Sequence, residues 1–214
     1  MQKFKYIFFY FSFVILLIYG CNPERKKTEN TESNLSIIGE KKIAENGKDT
    51  IYHTIPDFSF TNQFGEKISN ESTKGKIYIA DFFFATCTSI CPIMSKDMGL
   101  VQNAFANDKD VLILSHTVNP MHDTVEVLYE YGKKFGAIKG KWHLLTGEKK
   151  KIYDLAKNGY LVNALQDDGS AEGFLHSELF MLIDKQSRIR GMYDGTDSVQ
   201  VVKLINDIKK LKQE

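Results

Sequence analysis

Cysteine is scarce in this sequence: Cys21, Cys87 and Cys91 are the only three in 214 residues. That number excludes a disulfide-rich scaffold and leaves any pair to be explained by its chemistry. Proline is scarce too, with four residues, and none follows Pro120. Neither sign of charge dominates. The formal net charge is +1 with no long basic tract, so nucleic acid is not implied as a partner. Internal repeats and long low-complexity segments are absent. One long apolar run exists, Tyr6 to Tyr19. It is shorter than the roughly 20 residues a membrane span needs.

That run has the shape of a secretory signal. Lys3 and Lys5 precede it, and Leu17-Ile18-Tyr19-Gly20-Cys21 ends it. The ending resembles a bacterial lipoprotein signal, in which cleavage before Cys21 leaves that cysteine to carry lipid. Tyr19 departs from the small residue usual there. The competing reading is an uncleaved anchor with an incidental cysteine. The position of Cys21 at the very end of the run favours lipidation. Residues 1–20 therefore read as a lipoprotein signal peptide. The chain reads as lipid-anchored to a membrane on the periplasmic side of the cell envelope. Loss of Lys3 and Lys5 moves the formal charge from +1 to −1. Polar residues prevail from Asn22 to about Thr50, with too little apolar surface to pack. Residues 21–50 read as a flexible polar tether, with a reach of about 30 Å as a coil.

The folded domain is expected over 51–214. Pro56 to Thr61 alternates apolar and polar, as a half-buried strand does. Asn62 to Gly65 reads as a turn and Glu66 to Ser69 as a return strand, together an N-terminal β-hairpin extension. Ile77 to Phe84 is apolar apart from Asp81, the pattern of a buried parallel strand. After Pro92, the residues Ile93, Met94, Met98, Val101, Ala104 and Phe105 recur at helical spacing. Val111 to His116 and Trp142 to Thr146 read as further strands. Between them lies an amphipathic helix capped by Asp123 or Thr124. Residues 148–157 predict another helix. Glu178 to Asp184 and Arg188 to Tyr193 predict a hairpin. A last helix places Val199, Val202, Ile205 and Ile208 on one face, with Lys203, Lys209, Lys210 and Lys212 largely in solvent. This order argues α/β, with a central mainly parallel sheet flanked by helices. A first helix that opens at a cysteine pair makes a thioredoxin-like fold the leading choice.

The chemistry concentrates in Cys87-Thr88-Ser89-Ile90-Cys91-Pro92. If Cys21 carries lipid, Cys87 and Cys91 form an isolated pair. A disulfide closing so short a loop removes little entropy from the unfolded chain, so a functional pair is the better reading. Pro92 suits the first helical position, which puts Cys91 near the N-cap. The helix N-terminus should lower the pKa of at least one thiol. Thiolate both attacks disulfides and binds metals. The C-x3-C loop is one residue wider than the usual redox C-x2-C and leaves room for a metal. Among His53, His116, His122, His143 and His176, one stands out by position. His176 lies in Gly173-Phe174-Leu175-His176-Ser177, the stretch immediately before the strand at 178–184, where thioredoxins usually place a cis-proline and this chain has none. Cys87, Cys91 and His176 make a soft set suited to copper or zinc. A structural zinc site wants four ligands and no fourth is evident, so an open copper carrier fits better.

The sequence resembles the Sco/SenC family of copper chaperones for cytochrome c oxidase assembly. The matching pieces are Asp81 to Pro92, Ser115-His116-Thr117-Val118-Asn119-Pro120 with Asp123-Thr124, Trp142 to Gly147, and Leu175-His176-Ser177 through Asp184. The resemblance implies Cys87, Cys91 and His176 as ligands for Cu(I) or Cu(II). It also implies delivery to an oxidase subunit or another copper-accepting protein. No catalytic residue is implied beyond the Cys87–Cys91 redox pair. Thr88 stands where many members have proline, and Asn119-Pro120-Met121-His122 departs from an Asp-Pro-Glu-Arg pattern.

The alternative reading is a thiol–disulfide oxidoreductase that uses Cys87 and Cys91 alone to reduce a partner's cysteines. A structural disulfide is the third. Met94 and Met98 read as core before soft ligands. Met121 and His122 could form a transient metal stop on a loop. Asp81 either tunes the site or is a satisfied strand-end residue. Tyr129, Tyr131 and Phe82 to Phe84 read as packing.

Overall fold

The computed structural model describes residues 34–162 and 177–214. The predicted signal peptide, Cys21 and His176 lie outside them. In chain order the elements are β1 (Lys41–Ile43), β2 (Thr50–Tyr52), β3 (Ser59–Asn62), β4 (Lys67–Ser69), α1 (Asn70–Thr73), β5 (Ile77–Phe83) and α2 (Cys91–Ala104). Then come β6 (Val111–Thr117), α3 (Val125–Lys134), β7 (Trp142–Thr146), α4 (Lys149–Asp154), β8 (Leu179–Ile183), β9 (Ile189–Asp194) and α5 (Ser198–Leu211). α4 continues as a π turn over Leu155–Gly159. It thus covers most of the helix expected at 148–157.

Seven strands form one mixed sheet in the order β4-β3-β7-β6-β5-β8-β9. Its centre is parallel, β7 beside β6 beside β5, and a hairpin flanks each side antiparallel. This is the α/β, thioredoxin-like arrangement, with parallel pairing confined to the three central strands. All residues of β5 and β6 are buried. Each Ile, Leu, Val or Phe side chain so buried contributes about 1.5–3 kcal/mol, which fixes register as well as stability.

Successive strand residues point to opposite faces. Phe83 packs on Tyr131 of α3 at 5.0 Å, whereas its neighbour Phe82 packs on Tyr160 at 5.7 Å. α3 and the turn after α4 therefore cover opposite faces. α2 is tied to the α3 side, since Ser95 and Tyr131 share a hydroxyl hydrogen bond of 2.8 Å.

The pairing also sets one end of the sheet apart. β5 and β6 run parallel from Ile77 opposite Val111 to Phe83 opposite Thr117, so both release the chain at the same end. β8 runs antiparallel to β5, with Tyr78 opposite Ile183 and Ala80 opposite Met181. It therefore begins at the end where β5 stops. The chain leaves β5 and β6 and enters β8 there; Cys87 lies in the loop after β5, and Cys91 opens α2 at its end.

Two expectations need correction. The inward face of α5 carries Val201, Leu204, Ile208 and Leu211, while Val199 and Val202 are 74% and 56% exposed. Spacings of 3, 4 and 3 follow the 3.6-residue turn, whereas a strict three-residue repeat drifts off the core. The expected tether is also not unstructured throughout: residues near Leu35 and Ile38 contact the domain, while the exposed β1 pairs only with β2. β1 and β2 pair antiparallel, and Ile38 bridges to Ile189. The buried Arg190 guanidinium donates to the Leu35 carbonyl at 2.5 Å and to Glu214 at 2.5 Å. A buried guanidinium needs acceptors, and the polar segment supplies one.

Candidate metal centre

Phe84 to Ile90 connect β5 to α2. The loop is fixed at its base by two hydrogen bonds. Cys87 N–H donates to the Phe84 carbonyl at 3.2 Å, and Ala85 N–H donates to Asp123 Oδ2 at 3.0 Å. α2 begins at Cys91, one residue earlier than the proline predicts, with Ile90 as N-cap in helical conformation. Pro92 is thus the second helical residue, where its missing N–H is equally harmless.

The first-turn N–H groups of a helix have no carbonyl within it. Cys91 N–H finds Cys87 Sγ instead, at 3.4 Å. Ser89 Oγ lies 3.6 Å from the same sulfur. Both cysteines are free thiols and nearly buried, 6% exposed at Cys87 and 3% at Cys91.

The two thiols differ sharply in acidity. Burial pushes the Cys87 pKa up, but hydrogen bonds from the Cys91 thiol and N–H and from Ser89 outweigh it. The net result lies below the ordinary thiol value. At Cys91 burial wins, and donating its proton to Cys87 raises the pKa further. Cys87 is therefore the more acidic thiol of the pair, the first to form thiolate and the better placed nucleophile in any exchange, while Cys91 is the weaker acid. The helix N-terminus acts on Cys87 through one N–H bond and leaves its own first residue the weaker acid.

Asp81 proves to be a satisfied residue and a tuning group at once. It is 3% exposed and accepts the Ser115 hydroxyl at 2.5 Å. Ser115 in turn accepts the Trp142 indole N–H at 2.8 Å. Burial pushes the Asp81 pKa up to about 7. When ionised, its charge further opposes ionisation of Cys91 and of the buried Tyr131.

Two of the three residues expected to hold a metal thus stand together, and the third lies outside the described residues. Among the described residues no cluster of three or more His, Cys, Asp and Glu is gathered. Met94 and Met98 are core, 1% and 0% exposed. His116 and His143 are core as well, and His53 is tied to the Gly159 carbonyl at 2.7 Å. Ser177 is nearly buried and accepts Leu179 N–H at 3.3 Å. Among the described residues no helix is long and apolar enough to cross a membrane.

Sequence reasoning missed one positioning residue. From its residue pattern Asp123 reads as a possible helix cap, and the family resemblance includes it without a role; the cap is Thr124, which accepts Val127 N–H at 3.4 Å. Asp123 is instead fully buried and holds the cysteine loop through Ala85. It also accepts the Thr117 hydroxyl. An acid just beyond a buried strand, within a stretch shared with the family, is the signal that points to it.

A family model described as SCO1/SenC matches residues 46–213. Solved structures agree. A SCO1/SenC family lipoprotein from Bacillus anthracis is 30% identical, with a TM-score of 0.67 over 75% of this chain and 95% of that one. BsSco, described as a member of the Sco family of cytochrome c oxidase assembly proteins and as containing a disulfide switch, is 28% identical. Its TM-score is 0.66 over 78% of this chain and 97% of its own. Copper-bound ScoI from Arabidopsis thaliana shares the fold at 24% identity, with a TM-score of 0.59 over 72% and 98%.

Proposed function

This chain belongs to the SCO1/SenC family, and from that premise we propose that it is a membrane-tethered copper metallochaperone. Copper is its cargo, bound by Cys87, Cys91 and His176 and passed to a copper site of cytochrome c oxidase or another acceptor. The observation that carries the reading is the free thiol pair in which Cys91 donates to Cys87 and acidifies that sulfur. Soft thiolates suit copper. The start of β8 at the cysteine end of the sheet supports the third ligand, because His176 adjoins Ser177 in the chain. The family's copper-bound and oxidase-assembly members point the same way.

The test is a copper titration of the chain in its two redox states under anaerobic conditions. The dithiol is expected to bind one copper per chain and the Cys87–Cys91 disulfide none. Equal binding in both states would remove the cysteines from the site. A second reading, thiol–disulfide exchange with a partner, draws on the proton asymmetry of the pair. It predicts a dithiol that reduces partner disulfides yet holds no copper.

The anchor belongs to the same proposal. Cys21 ends an apolar run as lipidated cysteines do, and a family member is a lipoprotein. Fatty-acid label is expected on the wild-type chain and absent from Cys21→Ser. Label retained in that variant would overturn it.

A further inference from the structure

The loop that leaves β6 carries a second pair of soft donors. Residues 119–123 form a tight turn in which His122 N–H and Asp123 N–H both donate to the Asn119 carbonyl, at 3.0 and 2.9 Å. Met121 rides on this turn 87% exposed, while Met94, Met98 and Met181 are buried. A large apolar side chain left in water is unusual, and its thioether is a soft ligand.

His122 is built differently from the other described histidines. Its Nδ1 donates to Asp123 Oδ1 at 2.9 Å, and about half of its side chain, 51%, stays in solvent. A proton held on Nδ1 by a carboxyl oxygen fixes the tautomer and leaves the Nε2 lone pair free. Metal-binding histidines are commonly oriented in this way by an outer partner. The partner here is immobilised, because Asp123 is fully buried and also holds Ala85 N–H and the Thr117 hydroxyl. Asp123 thus touches both loops. Its one oxygen orients His122, and its other holds the segment two residues before Cys87. Both loops leave adjacent parallel strands at the same end of the sheet.

The geometry points to Met121 and His122 as a second, shallow site for a soft monovalent cation of the Cu(I) class, a loading station beside the cysteine pair. The choice of ion rests on the copper reading above, and the donors do not. Transfer to the cysteines is ligand exchange without change of oxidation state. The Cu–Sδ and Cu–Nε2 bonds break as Cu–Sγ bonds form, and thiol protons leave to solvent.

The test uses the intact chain in detergent with Cys87→Ser and Cys91→Ser, labelled at methionine methyl and histidine ring carbons. Silver(I) is the probe, as a redox-inert stand-in for Cu(I). One equivalent is expected to shift the Met121 methyl and His122 ring signals saturably and leave Met94, Met98 and Met181 unmoved. Adding Met121→Leu or His122→Gln should raise the half-saturation point about 10-fold or more. With the cysteines intact, the same two substitutions should leave one copper per chain at the end point but slow its loading about 5-fold or more, on the same reasoning. Unmoved Met121 and His122 signals, or saturation indifferent to both substitutions, would overturn the station while leaving the cysteine site standing. A silver response at Met121 and His122 in a protein whose dithiol holds no copper would do the reverse.

Discussion

Replacing His176 with alanine is expected to weaken copper binding by the reduced chain by about 100-fold or more. Changing outer groups that merely orient a ligand costs roughly 10–100-fold, and loss of a direct ligand costs at least the upper part of that range. With the imidazole gone, two thiolates alone hold the ion, less tightly and with more room for competing ligands. Oxidation of Cys87 and Cys91 to a disulfide should proceed as before, because the acidity of Cys87 derives from Cys91 and Ser89. The measurement is anaerobic competition against a chromophoric copper chelator, with the disulfide reduction potential recorded alongside. Equal copper affinity in wild type and variant would sink the three-ligand site and favour the reductase reading. Loss of copper together with a large change in potential would mean that His176 acts on the cysteines and not on the metal.

Asp81→Asn and His116→Phe are expected to tilt the pH dependence of stability in opposite directions. Folded Asp81 keeps its proton to about pH 7, against an ordinary value of 3.8. The folded state binds this proton more tightly than the unfolded chain, so its contribution to stability falls as pH rises from about 4 to 7. His116 is the opposite case. Burial among Phe58, Phe60, Phe82 and Tyr160 lowers its pKa from 6.5 to about 3. Its Nδ1 has no hydrogen-bond partner among the described residues. The unfolded chain takes up this proton first, so stability falls as pH drops from about 6.5 toward 3. Each proton is worth about 1.4 kcal/mol per pH unit. Between about pH 4 and 6.5 the two slopes cancel in the wild type. Asp81 faces Ser115 and His116 faces Phe82, so the two lie on opposite faces of the sheet and act nearly independently.

Removing one partner uncovers the other. Relative to wild type, Asp81→Asn should gain stability with rising pH, reaching at most about 4 kcal/mol by pH 8. Relative to wild type, His116→Phe should gain as pH falls, by about 3 kcal/mol at pH 4. Urea unfolding across pH 4 to 8 measures both. Profiles that stay parallel to wild type would show that neither group is perturbed in the folded chain.

The parts of the fold legible in the sequence are those fixed by local pattern. Ile77 to Phe83 is a buried strand because nearly every side chain is apolar. The turn at Asn62 to Gly65 and the hairpin around Lys185-Gln186-Ser187 declare themselves by residue type. Features set by distant partners were not legible. The segment from residue 34 is polar and looks unfit to pack, and what holds it is Arg190, which lies 155 positions beyond Leu35. The inward face of α5 was misjudged because valines at 199, 201 and 202 offer two apolar stripes, and only contact with β9 and α2 chooses between them. At the site, C-x3-C announced a thiol pair. The inequality of the two sulfurs depends on burial and on one N–H aimed at Cys87, neither of which spacing encodes. Asp123 was opaque for the same reason, since its partners Ala85 and Thr117 belong to two different strand ends.

Trp142 is the only tryptophan in the chain, and its indole N–H ends the relay through Ser115 to Asp81. The protein therefore carries a single indole fluorophore, and its polar contact is linked through Ser115 to the buried carboxyl behind the cysteine pair. Its emission, excited selectively over the tyrosines, is expected to shift as Asp81 gains or loses its proton, so a change of charge beneath the thiols should be visible as a change of light.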